Sequence, residues 1–333
     1  MVSEDERCEI KLERKKHISI MTPCYNEEKN VRNIYLAVKE QFENLTQYTY
    51  EHIFIDNYST DGTRAILRSL AEEDHNVKVI FNARNFGPNR SGTYGMLQGT
   101  GDALICIVCD LQDPPDMIPR FLEKWEEGYK VVMGQKTKSR ENKIMYNIRK
   151  LYYKIMESLS ETEHLENVTG FGLFDRAFLE TIKWMDDPDP YIRGLITELG
   201  YKTCLVEYTQ QKREHGKSSY NFFSYFDFAI TGMTHISRKP LRIATFLGFM
   251  MSVVSFIIAA VFLVRKLIYW DSFIMGTAPI LIGMFLLASV QLAFIGVIGE
   301  YIGAILTRVT KRPMVVEEER LNFEEEKHEV TEE

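Results

Sequence analysis

Residues 106–116, "CIVCDLQDPPD", are an apolar run that ends in two acids and an amide and then turns on Pro114 and Pro115. Asp110 and Gln112 place hard oxygens two residues apart, the spacing that faces one way on extended backbone. Such donors suit Mg2+ or Mn2+, which binds through a few protein groups while substrate phosphates fill the remaining positions. The competing reading is an acidic turn that only caps a strand end. Neither a GxGxxG nor a GxxxxGKS stretch occurs, so the usual glycine-rich phosphate loops are missing. Cys106 and Cys109 form a CxxC, but inside a strand-like run rather than at a helix start, which argues against redox or zinc chemistry.

A carboxylate at a strand end needs a sheet to hold it. From residue 17 to 135, short β-branched runs alternate with helical patterns, which predicts an α/β fold built on a mostly parallel sheet with crossover helices on both faces. "HISIMTP", "YEHIFIDN", "NVKVIFNA" and "DALICIVCD" read as four strands. The stretches from Glu27 to Leu45, Thr63 to Glu73 and Ser91 to Gln98 read as the helices between them. Ligands of such sheets lie beyond the carboxyl ends of the strands. Those ends carry "TPCYNEEKN", "DNYSTDGT", "NARNFG" and "CDLQDPPD", so four polar loops are expected on one edge.

The 333-residue chain has a formal net charge of −7, 45% hydrophobic residues and five cysteines. That composition predicts a full core, a reducing compartment and no signal peptide in the charged opening. After about residue 240 the character changes. Residues 243–264 and 272–299 each run without a charge for longer than the roughly 20 residues that cross a bilayer, so two membrane helices are predicted. Arg238, Lys239, Arg242, Arg308, Lys311 and Arg312 flank the pair outside, against Arg265 and Lys266 between them. That asymmetry sets both termini and the catalytic part in the cytoplasm of a multi-pass protein of the cytoplasmic membrane. The Glu-rich end from Glu317 to Glu333 reads as a solvated, disordered tail.

The polar loops, "DLQDPP" above all, resemble the inverting GT-A glycosyltransferases of family 2, in the branch that moves a sugar from a nucleotide diphosphate to a polyprenyl phosphate. The likeness covers about residues 17–312. It implies a charged arm at 1–16, a GT-A catalytic domain at 17–217, an interfacial helix at 218–240, the membrane pair within 241–306 and the tail at 307–333. It also implies that Pro23, Tyr25, Asn26 and Glu27 hold the nucleoside, with Asp56 and Asn57 near the base and Arg84 near the nucleotide. Asp110 and Gln112 would meet the metal and diphosphate. In "QQKREHGKSSY", Arg213, Lys217 and Ser218 match a loop that gathers phosphates, and Arg193 lies in a stretch near the acceptor side.

Two positions depart from that family pattern. Val108 stands where an aspartate is usual, and "GFGLFDR" puts Gly170 and Gly172 where an acid and an arginine are common. A phosphate acceptor tolerates the loss of a base, because a phosphate with a second pKa of about 6 is already largely ionised at pH 7. Arginine grips phosphate oxygens in a bidentate fork, and the aromatic stretch after Tyr220 suits a membrane interface. A basic loop that binds anionic headgroups without specificity is the plainer alternative. The amphipathic stretch from Asn142 to Leu159 would lie on the membrane or pack against another subunit, so a homo-oligomer is expected. The expected partners are a nucleotide-diphosphate sugar, a polyprenyl phosphate and the bilayer, with no nucleic acid. Rival readings are a transferase with a sugar hydroxyl as acceptor and a catalytically silent membrane scaffold.

Overall fold

The computed structural model describes residues 14–136, 168–211, 239–268, 277–310 and 312–323, which fall into two compact units. The first unit holds an eight-stranded mixed sheet. In chain order its elements are β1 (Lys16–Cys24), α1 (Val31–Asn44), β2 (Tyr48–Asp56), α2 (Thr63–Glu73), β3 (Val77–Asn82), α3 (Pro88–Leu97) and β4 (Ala103–Cys106). There follow α4 (Ile118–Glu126), β5 (Val131–Lys136), β6 (Val168–Asp175), α5 (Arg176–Met185), α6 (Ile192–Glu198), β7 (Thr203–Tyr208) and, near the end of the chain, β8 (Glu317–Leu321). The strand order is β7-β5-β6-β4-β1-β2-β3-β8.

The four strands expected from the sequence run parallel at the centre, β4 beside β1, then β2 and β3. β6 lies antiparallel between β4 and β5, and β8 lies antiparallel against β3. Side chains alternate between the two faces of the sheet. Ile18, Ile20 and Phe54 pack with Val31, Ile34 and Val38 of α1 and Leu67 and Leu70 of α2, apolar positions three and four apart on each helix. Met21, Ile53 and Ile55 pack on the other side with Met96 of α3 and Phe178 of α5. The sheet is therefore covered on both faces, and its parallel carboxyl edge stays open.

Three expectations need correction. The acidic tail is not wholly solvated: Glu317–Leu321 pairs with β3, Glu318 meets Arg64 at 2.8 Å, and Glu319 meets Arg68. Cations on α2 and open backbone groups on β3 outweigh the repulsion that composition alone suggests. β4 is shorter than "DALICIVCD", because after Ile107 donates to the Met21 carbonyl at 3.0 Å the chain turns at Leu111, whose φ is +56°. The first helix of the sequence reading begins at Val31 and not at Glu27, with the residues before it folded into a turn.

In the second unit, α7 (Lys239–Ile268) and α8 (Thr277–Val309) are 30 and 33 residues long. A Cβ placed on Gly248 of α7 would lie 3.5 Å from the Phe294 ring of α8, so the pair touches there. Phe246, Phe249, Leu292 and Ile295 are exposed. Among the described residues, no helix is long and apolar enough to cross a membrane. The two predicted spans are thus present as long helices and are not borne out as spans. The amphipathic stretch at 142–159, most of the arm at 1–16 and the interfacial stretch up to 238 lie outside the described residues.

Candidate active site

The loops after β1 and β2 are bound to each other through reciprocal hydrogen bonds. Asn57 N–H donates to the Cys24 carbonyl at 2.9 Å, directly beyond the paired ends Cys24 and Asp56. Asn26 N–H donates to Ser59 Oγ and Thr60 N–H to Asn26 Oδ1, both at 2.8 Å. Glu27 N–H donates to Thr63 Oγ1 at 2.8 Å, and Gly62 N–H to Glu28 Oε2 at 3.0 Å. Each bond crosses from one loop to the other, so neither can move alone. Asn26 has φ +55° and Tyr58 φ +70°, left-handed values that cost a non-glycine residue about 1–2 kcal/mol each. Strain of this kind gathers where a loop must present a particular surface.

Asp56 is fully buried at the end of β2. Its carboxylate accepts from Ser59 N–H at 3.1 Å, and Arg64 Nε lies 3.7 Å away. Burial pushes its carboxyl above the ordinary aspartate range, against the opposing pull of the Ser59 bonds and Arg64. Asn57, predicted beside the base, is buried and works as a brace. Its Oδ1 accepts from Phe86 N–H at 2.9 Å and Asn82 Nδ2 at 3.2 Å, and its Nδ2 donates to Asn85 Oδ1 at 3.0 Å. An amide does here what an aspartate could not, because it both accepts and donates. Arg84 is exposed on the loop after β3, with its guanidinium 4.0 Å from the Phe86 ring centroid. Tyr25 and Tyr58 are each 43% exposed.

The "DLQDPP" loop divides its three polar residues between two tasks. Asp110 and Gln112 are half-buried, and Asp110 Oδ1 accepts from the Gln112 N–H at 3.1 Å. Asp113 is buried, and Tyr208 of β7 donates its hydroxyl to it at 2.6 Å. Burial raises the Asp113 carboxyl, while Tyr208 and Lys136 act the other way. The second acid is therefore a fastener, and the first acid and the amide remain at the edge. One or two oxygen donors fit the sparse protein shell of a Mg2+-type ion, although among the described residues no three His, Cys, Asp or Glu gather to hold a metal. Cys106 and Cys109 are buried, and burial pushes the Cys106 thiol up to about 12, so the CxxC is inert packing.

Two further segments reach this edge. Gln211 N–H donates to the Gln112 carbonyl at 3.0 Å, which brings the start of "QQKREHGKSSY" beside Asp110. Arg213, Lys217 and Ser218 themselves lie outside the described residues. Asn89 Nδ2 donates to Asp189 Oδ1 at 3.0 Å and Arg90 Nε to the Pro188 carbonyl at 3.1 Å, so the segment before the exposed Arg193 is drawn to the start of α3.

Packing explains part of the second departure. Cys106 pairs with Gly172 at the end of the β4–β6 ladder, and β6 shifts register against β5 just beyond it. A Cβ on Gly172 would fall 2.5 Å from the Val132 carbonyl oxygen, so no side chain fits there. Gly170 is exposed with nothing within 4 Å of such a Cβ.

Residues 19–183 match the family described as Glycosyl transferase family 2. A prophage bactoprenol glucosyl transferase homolog of Escherichia coli is 34% identical over 300 residues, covering 90% of this chain and 97% of that one. The chain belongs to the family 2 glycosyltransferases. The bactoprenol glucosyl transferase of Shigella phage SfX is 34% identical to this glycosyltransferase, over 89% of its length and 97% of the phage protein. An uncharacterized glycosyltransferase of Bacillus subtilis is 33% identical over 92% and 94%. Among solved structures, mannosyl-3-phosphoglycerate synthase from Rubrobacter xylanophilus aligns with TM-score 0.47 at 16% identity, over 68% of this chain and 74% of that one.

Sequence reasoning missed Ser59, Arg64, Asp113 and Tyr208, all of which act by holding other site residues. Only the second acid of "DLQDPP" carried a signal, and its strand-end position pointed outward as readily as inward.

Proposed function

We propose that this glycosyltransferase moves a sugar, with inversion, from a nucleotide-diphosphate sugar to a polyprenyl phosphate at a membrane surface. The observation that carries the reading is the Gln211–Gln112 backbone bond, because it starts the cationic loop beside the carboxylate that faces the donor diphosphate. The relatives named as bactoprenol glucosyl transferases, matched over nearly their whole length, support the same acceptor and suggest glucose as the sugar.

The braced loops after β1, β2 and β3 would hold the nucleoside through Pro23, Tyr25, Asn26, Glu27 and Arg84, with the buried Asp56 fixing the loop after β2 and Asn57 the loop that carries Arg84. Asp110 and Gln112 would hold a divalent cation, which when bound offsets the charge that builds on the departing nucleoside diphosphate. Arg213, Lys217 and Ser218, with Arg193 nearby, would hold the acceptor phosphate. An anionic phosphate oxygen then bonds to the anomeric carbon, the bond from that carbon to the diphosphate oxygen breaks, and its electron pair leaves with the nucleoside diphosphate. No proton must be removed. That fits the absence of an acid at Val108 and at Gly170, since an acceptor hydroxyl would need a base.

Two helices of 30 and 33 residues with exposed apolar side chains support anchorage in a bilayer, since a surface of that kind needs lipid or a partner to cover it. The flanking cations support a cytoplasmic catalytic unit. The test is to supply isolated membranes with radiolabelled UDP-glucose, other nucleotide sugars in parallel, and undecaprenyl phosphate. Label should enter a lipid that mild acid releases. Label that enters only an acid-stable glycan would make the acceptor a hydroxyl and overturn the reading.

A further inference from the structure

We infer that Tyr58 is a second aromatic contact for the nucleobase, for which the fold sustains a strained backbone. The inference rests on the nucleotide-sugar reading above. Tyr58 directly follows Asp56 and Asn57, on the loop bound to the one that carries Tyr25. Its φ of +70° is where glycine sits freely and a bulky residue is an outlier. The neighbours impose that angle: Ser59 N–H is held by the Asp56 carboxylate and Ser59 Oγ by Asn26 N–H, while Asn57 N–H is held by the Cys24 carbonyl. Whatever occupies position 58 must turn left-handed, and glycine or asparagine would do so at less cost.

The aromatic ring gains nothing from the rest of the protein in exchange. It is 43% exposed, and among the described residues it makes no hydrogen bond or ring contact. Tyr25 has the same exposure and the same lack of partners. Two unpartnered tyrosines thus stand on adjacent, interlocked loops at the carboxyl edge, with Arg84 on the loop after the next strand, β3. Strand order puts β2 one strand further than β1 from β4 and its Asp110, which is the base end of a bound nucleotide rather than its diphosphate end. A flat, unsaturated ring laid across these loops would cover apolar surface that the folded chain leaves in water.

Binding of UDP, GDP and CDP, and of inorganic pyrophosphate as the probe without a base, is measured by calorimetry on the full-length protein in detergent. Wild type is compared with Tyr58→Gly, Tyr58→Asn and Tyr58→Phe. Glycine and asparagine should weaken the preferred nucleotide by roughly ten-fold, the size that base–aromatic stacking carries, and leave pyrophosphate unchanged. Phenylalanine should stay within about two-fold. Tyr58→Gly should also raise Tm by about 2–4 °C as the strain is relieved. Unchanged nucleotide affinity in both the glycine and the asparagine variant overturns the inference. So does equal weakening of pyrophosphate, which would place the ring at the phosphates. If wild type binds none of the nucleotides, the nucleotide-sugar reading fails first and this inference falls with it. Wild-type binding with indifferent Tyr58 variants removes the inference alone.

Discussion

At the β1–β2 end of the sheet, two loops hold each other through backbone and side-chain bonds, and Asp56 and Asn57 are sealed beneath them. At the β4–β6 end, Asp110 is half-buried with its carboxylate against its own loop, and Gly170 faces open space. The difference matches the demands of the two substrates in the proposed single displacement. A nucleoside is recognised by shape, so its site gains from being rigid before it arrives. A phosphate already ionised needs charge placed near the carbon it attacks, and a lipid phosphate must approach from the membrane side. One end is braced by bonds between its own loops, and the other is more open.

The largest effect that could break this contrast is at Asp110. Asp110→Asn should lower kcat by on the order of 10²–10³-fold, the scale of losing one preorganised electrostatic contact to the transition state. Nucleoside diphosphate affinity without added metal, and Tm, should hardly change. Near-wild-type turnover would remove Asp110 from the chemistry and leave the β4 end without an assigned task.

The next effect sharpens the contrast within β6. Gly172→Ala should destabilise by about 1–3 kcal/mol, because its Cβ would meet a backbone oxygen that cannot step aside. Gly170→Asp should stay within about 0.5 kcal/mol, as surface changes do, and would restore the acid that is common at that position. If Gly170→Asp brings activity toward a sugar hydroxyl, the missing acid is what restricts the acceptor. Measured urea unfolding of both variants, with acceptor assays on the second, decides it.

A pH response of folding stability follows from His52 of β2. Its ring is buried beside Phe54, with Nε2 bonded to Thr22 Oγ1 at 2.9 Å and Nδ1 without a partner. Burial pulls its pKa from the ordinary 6.5 down to about 3. The unfolded chain therefore takes up a proton below 6.5 that the folded chain refuses until about 3. Stability is fully present above that window and falls as pH drops through it, by about 2 kcal/mol at pH 5. Denaturant midpoints from pH 7 to 4.5 should show this slope, and His52→Gln should flatten it.

The sheet was legible because burial imposes its pattern on sequence. Thr63–Glu73 was read as a helix at its observed bounds, since Leu67, Leu70 and Ala71 must face the sheet. The four polar loops were legible because strand ends carry ligands. What escaped were bonds between segments remote in sequence. Nothing near Asp113 announces Tyr208, and nothing in "DNYSTDGT" shows that Asn57 is spent on the loop after β3. β8 escaped for the opposite reason: its glutamates read as solvent-facing until Arg64 and Arg68 of α2 are placed against them.

That strand offers the smallest expected effect. Glu318 pairs with Arg64 at the outer edge, and Arg64 lies between it and Asp56. The Glu318 carboxylate is about half exposed, and a pair of that kind contributes about 0.2–1 kcal/mol. Glu318→Gln should therefore shift Tm by about 1–3 °C. It should also free the guanidinium to settle on Asp56, whose carboxylate Oδ2 now stands 3.7 Å from an Nε that has no hydrogen-bond partner. A closer Arg64 would pull the Asp56 carboxyl back down from its raised value, so nucleotide affinity should change by no more than about three-fold and chiefly below neutral pH. A ten-fold loss at pH 8 would mean that the carboxyl-terminal strand belongs to the braced end of the site and does not merely cover the edge of β3.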